Sequence, residues 1–196
     1  MSMNPLLEVL LDRQSVKFVQ APGPDAVQLD LILQAAMRAP DHGAVRPWRF
    51  KLIPRQHVPM LVDLAIQAGQ AAGKPMPDFK ITKWRAWLAR VPLVIAIACR
   101  PDPSGRIREQ ESLLSVGTAV MNMLNAAHAL GLAGFWSTGM GTYLDGVAEA
   151  LGFDALDERF MGYLALGTPI EQPGPVIRPD YREFVTEWQP SPEFSA

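Results

Sequence analysis

At 196 residues the chain is sized for one sizeable core, and 48% hydrophobic against 19% charged side chains is a folded composition rather than a disordered one. A net charge of −2 argues against a surface built for nucleic acid. The single cysteine, Cys99, excludes an internal disulfide and a cysteine-based zinc cage.

The first segment, MSMNPLLEVLLDRQS, lacks the basic start and the long apolar run of a signal peptide. No stretch of ~20 residues is free of polar interruption, so no membrane span is expected and the expected compartment is the cytoplasm. Leu6, Leu7, Val9, Leu10 and Leu11 form a short apolar segment that stops at Asp12, and Arg13 and Ser15 follow at once. They either cap a helix end or bind an anion, for which Arg offers a planar fork of donors and Ser a short one beside it.

Leu29, Ile32, Leu33, Ala36 and Met37 recur at helical spacing and predict an amphipathic helix over 25–39, with Asp25 and Gln28 as a capping box and Pro40 as the stop. WRFKLIP (48–54) alternates as a half-buried strand, and 57–73 reads as helix. KPMPDFKITKWRAWLAR (74–90) reads as one or two short helices. Their Lys80, Lys83, Arg85 and Arg90 form an exposed face beside Trp84 and Trp87, or alternatively a guide for a nicotinamide or an aromatic acceptor. PLVIAIAC (92–99) is the continuous apolar run of a central strand. A long helix over 106–130 comes next, then strands AGFWST (133–138) and RFMGYLALG (159–167) with the helix DGVAEALG between them. The Pro-rich tail, 169–192, is too poor in apolar residues to pack on itself and is expected to lie on a partner subunit. Helices interspersed with apolar strands give a sheet covered by helices, α/β or α+β.

The long helix is apolar nearly all round, as befits a helix buried in a core or an interface. Glu111, Ser115, Thr118, Asn122 and Asn125 nevertheless share one face. For most of the five, the expected partners are backbone, water or a second subunit; part of the stripe can instead border a cofactor.

The loop RAPDHGAVRPWRF (38–50) gathers Asp41, His42, Arg46 and Trp48 between Pro40 and Pro47, the kind of loop on rigid flanks that carries binding groups. His57 and His128 stand apart from His42, so no metal site is expected. There is no G-x-S-x-G elbow and no nucleotide P-loop. STGMGTYLDG puts Leu144 where a dinucleotide fingerprint needs its third glycine. GLAGFWSTG places Trp136, Ser137 and Thr138 at a strand end between glycines, where backbone can approach a ligand closely.

The ordered set Arg13-x-Ser15, Ala39-Pro-Asp-His42 with Pro47-Trp48, and Glu111, Ser115, Gly117, Asn122, Ala126-Ala127, Gly131-x-x-Gly134-x-Trp136-x-Thr138-Gly139 resembles the nitroreductase family of FMN-dependent oxidoreductases. YLALGTP (163–169) matches its last strand, and the resemblance covers nearly the whole chain.

The resemblance implies an α+β fold with a central, mostly antiparallel sheet flanked by helices. It implies a single domain over 1–196, in an obligate domain-swapped homodimer with 169–196 packed on the partner. FMN would occupy two interface sites, with a cofactor-binding set of Arg13, Gln14, Ser15, His42, Arg46, Trp136, Ser137, Thr138 and Arg182. Within it, Arg13 and Ser15 would hold the phosphate and ribityl region from the subunit opposite the one that gives His42. His42 and Arg46 would border the flavin; Trp136, Ser137 and Thr138 would line it. Arg182, or Arg178, would supply a C-terminal cation, and residues 126–131 would lie where the nicotinamide approaches.

The chain departs from the family pattern at Ala44 and Arg46, where many members have Asn and Gln, and at Ser137, where related sequences often have Arg. The implied activity is ping-pong transfer from NADH or NADPH through the flavin to a nitroaromatic, quinone or enone, with no catalytic side chain required. The alternatives are a flavin carrier or sensor without turnover, and a Rossmann-type dehydrogenase built on GMGTYLDG.

Overall fold

The computed structural model describes residues 4–191. Helix α1 (Pro5–Asp12) starts on Asn4, whose side chain accepts the Leu6 N–H at 2.9 Å, with Pro5 at the first helical position. It buries none of its residues; Leu6, Leu7, Leu10 and Leu11 all face outward.

Strand β1 (Val19–Gln20) follows, then α2 (Ala26–Ala36). The Asp25–Gln28 capping box is formed on both sides. The helix ends at Ala36 rather than at the expected Ala39, because the last residues before Pro40 tighten into successive three-residue turns. After a short 3₁₀ turn at His42–Ala44 come β2 (Trp48–Pro54), α3 (Met60–Ala71), α4 (Asp78–Leu88) and β3 (Leu93–Cys99). Helix α5 (Glu109–Ala129), β4 (Ala133–Ser137), α6 (Asp145–Ala150) and β5 (Arg159–Pro169) complete the order, with a last 3₁₀ turn at Tyr181–Glu183 in the tail.

The strands form an antiparallel sheet. Strand β3 lies between β2 and β5, and β5 also pairs with β4 and, at its C-terminal end, with β1. Strand β3 is buried along its whole length, and its side chains alternate between two cores. Val94, Ala96 and Ala98 join α3, α4 and α6 on one face; Leu93, Ile95, Ile97 and Cys99 join α2 and α5 on the other. The unbroken apolar run is thus the middle layer of a three-layer sandwich. No pair is parallel among the described residues, so β4, GMGTYLDG and α6 do not form the βαβ unit that a dinucleotide fold needs. The Rossmann reading is therefore set aside.

Strand β5 carries a bulge. Ile97 faces Gly162 while Ala98 faces Phe160, which leaves Met161 unopposed. Gly162 has φ +100°, and a Cβ there would lie 2.3 Å from the Ser137 carbonyl oxygen. Only glycine admits that approach. The Met161 carbonyl, turned out by the bulge, accepts the Trp136 indole N–H at 2.9 Å. The same irregularity therefore fixes the edge on which Trp136 and Ser137 sit.

Candidate functional site

Arg13 closes α1 with its backbone, donating its N–H to the Val9 carbonyl at 3.2 Å, so its side chain is not needed as a cap. The half-buried guanidinium lines a cleft of about 440 Å³ together with Gln14, His128 and residues 131–134 and 172–175. Its Nη1 is buried with no hydrogen-bond partner, and no carboxylate pairs with it among the described residues. Loss of hydration, then the neighbouring Arg178, pull its pKa down. A half-hydrated cation beside another cation is an unmet demand for an anion. Gln14 Nε2 donates to the Gly174 carbonyl at 2.8 Å and so holds the tail over the cleft.

Ser15 is exposed and lines a second cleft, of about 580 Å³, with Lys17, Phe18 and residues 170–174. Lys17 is the residue that sequence reading passed over. Its ammonium stands 5.3 Å from the Trp87 ring centroid and has no carboxylate among the described residues. The signal available was its position, two residues after Ser15 in an extended stretch. That stretch is pinned by the Val16 N–H on the Gly134 carbonyl (3.0 Å) and by the buried Trp87, whose indole donates to the Lys17 carbonyl (2.8 Å).

His42 lies elsewhere in the chain, at the N-terminal end of α5. Its Nδ1 donates to the Glu111 carboxylate. The loop around it is strained, with Gly43, Ala44 and Arg46 at φ +70°, +54° and +52°. The two non-glycine residues cost on the order of 1–2 kcal/mol each. Asp41 holds the loop by accepting the Arg46 N–H at 2.8 Å. The Arg46 side chain is exposed.

Trp136 lines an apolar cleft of about 660 Å³ with Leu113, Leu114, Gly117, Met121 and Met161. The Ser137 hydroxyl accepts the Gly139 N–H at 3.2 Å, and Thr138 is exposed. Arg182 pairs with Asp180 at 3.0 Å within the tail, whereas Arg178 donates to the Arg13 carbonyl at 3.2 Å.

The polar stripe of α5 is satisfied mostly by backbone. Ser115 and Thr118 donate to carbonyls one turn back, at 3.0 and 2.9 Å, and Asn122 donates to Ala35 of α2 at 3.2 Å. Arg85 pairs with Asp63 at 3.0 Å and the Lys83 ammonium stands 5.9 Å from the Phe79 ring centroid. Among the described residues no group of His, Cys, Asp and Glu is placed to hold a metal ion. No helix among them is long and apolar enough to cross a membrane.

One chain does not bring the expected set together. The Arg13 cleft is bordered by Leu124 and His128, near the C-terminal end of α5, while His42 bonds to Glu111 near its start. Glu111 and Leu124 are thirteen positions apart, about 20 Å along a helix that rises 1.5 Å per residue.

A family model described as the nitroreductase family matches residues 10–168. The Escherichia coli K12 protein named "Putative NAD(P)H nitroreductase YdjA" is 36% identical over 181 residues, which is 92% of this chain and 97% of that protein. In shape, the chain matches a nitroreductase-like family protein from Bacillus cereus with a TM-score of 0.80 at 21% identity, covering 97% of this chain and 99% of that one. It also matches a Desulfovibrio desulfuricans protein whose structure is described as a complex with FMN (TM-score 0.74, 24% identity, 96% and 100% covered).

Proposed function

The chain belongs to the nitroreductase family, and from that premise we propose that it is an FMN-dependent NAD(P)H oxidoreductase working as a homodimer. The observation that carries the flavin reading is the Arg13 guanidinium, half-buried, unpaired and facing a cleft. A phosphate monoester supplies the charge and the planar acceptor set that such a group lacks. Gln14, Gln172 and the Asp12–His128 pair line that cleft beside Arg13, and Ser15, Lys17 and Glu171 line the next one.

The homodimer reading rests on surfaces that are otherwise unexplained. Leu114 and Met121 of α5 are exposed around Gly117, where a Cβ would meet nothing within 4 Å. A glycine in a helix interior costs about 1 kcal/mol against alanine, and nothing in its own chain needs it. A second copy lying close against α5 uses both the gap and the exposed apolar side chains. The outward leucines of α1 and the exposed Phe184, Val185 and Trp188 of the tail belong to the same reading. Each site then draws Arg13 and Ser15 from one subunit and His42, Arg46 and Trp136 from the other, which spans the gap along α5.

Once bound, FMN supplies the redox chemistry, accepting electrons from NADH or NADPH and delivering them to an electron-poor acceptor such as a nitroaromatic or a quinone. The chain's own residues bind, orient and shield. With the α5 face covered by the second subunit, Trp136 at its edge would shield a bound flavin from water, and nicotinamide and acceptor would use one slot in turn, which gives ping-pong kinetics.

Purified protein is expected to be yellow, to release FMN on denaturation, and to bleach under NADH or NADPH without oxygen. Mass spectrometry of the released ligand checks the first part. A colourless protein that takes up no added FMN refutes the flavin reading, and a yellow protein that no nicotinamide bleaches points to a carrier or sensor.

A further inference from the structure

Beside the unpaired Arg13 guanidinium stands a carboxylate that does not pair with it. Asp12 is the last residue of α1 and lines the same cleft as Arg13, yet its Oδ2 lies 3.5 Å from His128 Nε2. The Asp12 side chain is 84% exposed, so packing does not hold it in that direction. A carboxylate in the last turn of a helix is also opposed by the helix dipole, whereas an imidazolium at His128, in the last turn of α5, complements one. His128 is therefore the group that turns Asp12 away from its neighbour. The charged groups around His128 are Asp12 and Glu8 of α1 and, across the cleft, Arg13 with Arg178 beside it. Residues 131–134 and 172–175, which also line the cleft, carry no charge.

We propose that His128 is a positioning residue for the flavin phosphate, holding the Asp12 carboxylate off Arg13 so that the phosphate meets a free guanidinium; this rests on the flavin reading above. Two anions compete for one fork of donors. Asp12 is tethered one residue away, and an exposed carboxylate–guanidinium pair is weak but always at hand. A phosphate must displace it before it can take both parallel N–H groups. An imidazolium draws Asp12 off by charge, which a neutral ring does not, and histidine side chains change charge between about pH 5 and 8. The hold of Asp12 on Arg13, and with it the affinity for FMN, is thereby tied to the protonation of His128. No proton passes to the ligand; His128 acts only through Asp12.

The test is the preference of the full apo-chain for FMN over riboflavin, which lacks only the phosphate, read as the ratio of the two dissociation constants in fluorescence titrations. At pH 6, His128→Gln is expected to lower this preference about fivefold, the scale of one exposed ion pair. The double variant Asp12→Asn/His128→Gln is expected to restore it to the wild-type value or above. A merely structural role gives no such recovery, because the double variant cannot re-form the contact between α1 and α5. The independent readout is a pH profile. Asp12→Asn alone is expected to bind FMN within twofold of wild type at pH 6 and about fivefold more tightly than wild type at pH 8.5. Comparing the two proteins at each pH cancels the ionisation of the phosphate itself. Thermal melts check that each variant is folded, and the pH profile stands without His128→Gln. A preference within twofold of wild type in His128→Gln overturns the proposal alone, as does a loss that the double variant keeps, or an Asp12→Asn effect equal at both pH values. A wild-type chain that binds both flavins equally overturns it together with the phosphate role of Arg13, and one that binds neither overturns it together with the flavin reading.

Discussion

Arg178 donates from Nη2 to the backbone carbonyl oxygen of Arg13 at 3.2 Å, fastening the C-terminal tail to the point where α1 ends. Two guanidinium-bearing residues meet there, and the Arg13 pKa is lowered by burial first and by Arg178 second. Arginine stays charged at any ordinary pH, so that lowering marks lost hydration first and a neighbouring positive charge second, not a titration.

That contact separates the two tail arginines. Arg178 adds its charge to the Arg13 cleft, while Arg182 is engaged with Asp180. Arg178→Ala is expected to weaken FMN binding by roughly tenfold, the scale of one charge-assisted contact. Arg182→Ala is expected to change it less than twofold. Fluorescence titration of FMN into each apo-protein checks both; equal losses would place the phosphate nearer to Arg182.

Gly117 gives a test of the dimer. Leucine at this position meets open space within its own chain and gains helix propensity, so the subunit itself is not expected to lose stability. Against a second α5 the added side chain has no room. Gly117→Leu is therefore expected to raise the monomer fraction in analytical ultracentrifugation at micromolar concentration and to release FMN with it. A variant that remains dimeric and loaded would move the interface off this face.

Cys99 sets a pH limit on stability. Burial in the α2/α5 core is the largest of the causes that raise its pKa from 9.0 to about 11. The folded state therefore holds the neutral thiol where the unfolded chain releases a proton. The contribution is complete below about pH 9 and is lost as pH rises toward 11. Tyr163, also raised by burial, adds to the same slope further up. Chemical denaturation from pH 8 to 11 is expected to show a steeper decline for wild type than for Cys99→Ala. Iodoacetamide is expected to label Cys99 slowly at pH 8 unless the protein is unfolded.

Much of the fold was legible because periodicity and capping are local. The Asp25–Gln28 box, the alternation of WRFKLIP and the unbroken run of β3 each encode their element within a few residues. Strand β1 was not legible, since two residues carry no period and only the pairing with Thr168 and Pro169 makes them a strand. The bulge at Met161–Gly162 was not legible either, since Gly162 permits it but the register shift against Ile97 and Ala98 and the close Ser137 carbonyl appear only in the paired strands. In the candidate site, the sequence marks residue types but not their company. It put Arg182 in the cofactor-binding set with Arg178 as the alternative, and only the folded tail shows that Arg178 reaches Arg13 while Arg182 turns to Asp180. It also passed over Lys17, whose neighbours become visible only once Trp87 is packed beneath it.

Arg13 itself carries the last prediction. Its backbone caps α1 and its side chain does not, so truncating the side chain is expected to leave the melting temperature of the apo-protein nearly unchanged, or to raise it by relieving an unpaired half-buried cation. FMN affinity is expected to fall about ten- to a hundredfold in Arg13→Ala, the equivalent of roughly 1.5–3 kcal/mol for a hydrogen bond to a charged group. Lysine is expected to restore only part of this, because an ammonium cannot present two parallel donors to a phosphate. Ser15→Ala removes one neutral donor from an exposed position and is expected to cost less than Arg13→Ala. Titrations of FMN into each apo variant, run beside thermal melts, distinguish ligand binding from a structural role. A loss of apo stability with unchanged FMN affinity would return Arg13 to the service of its helix.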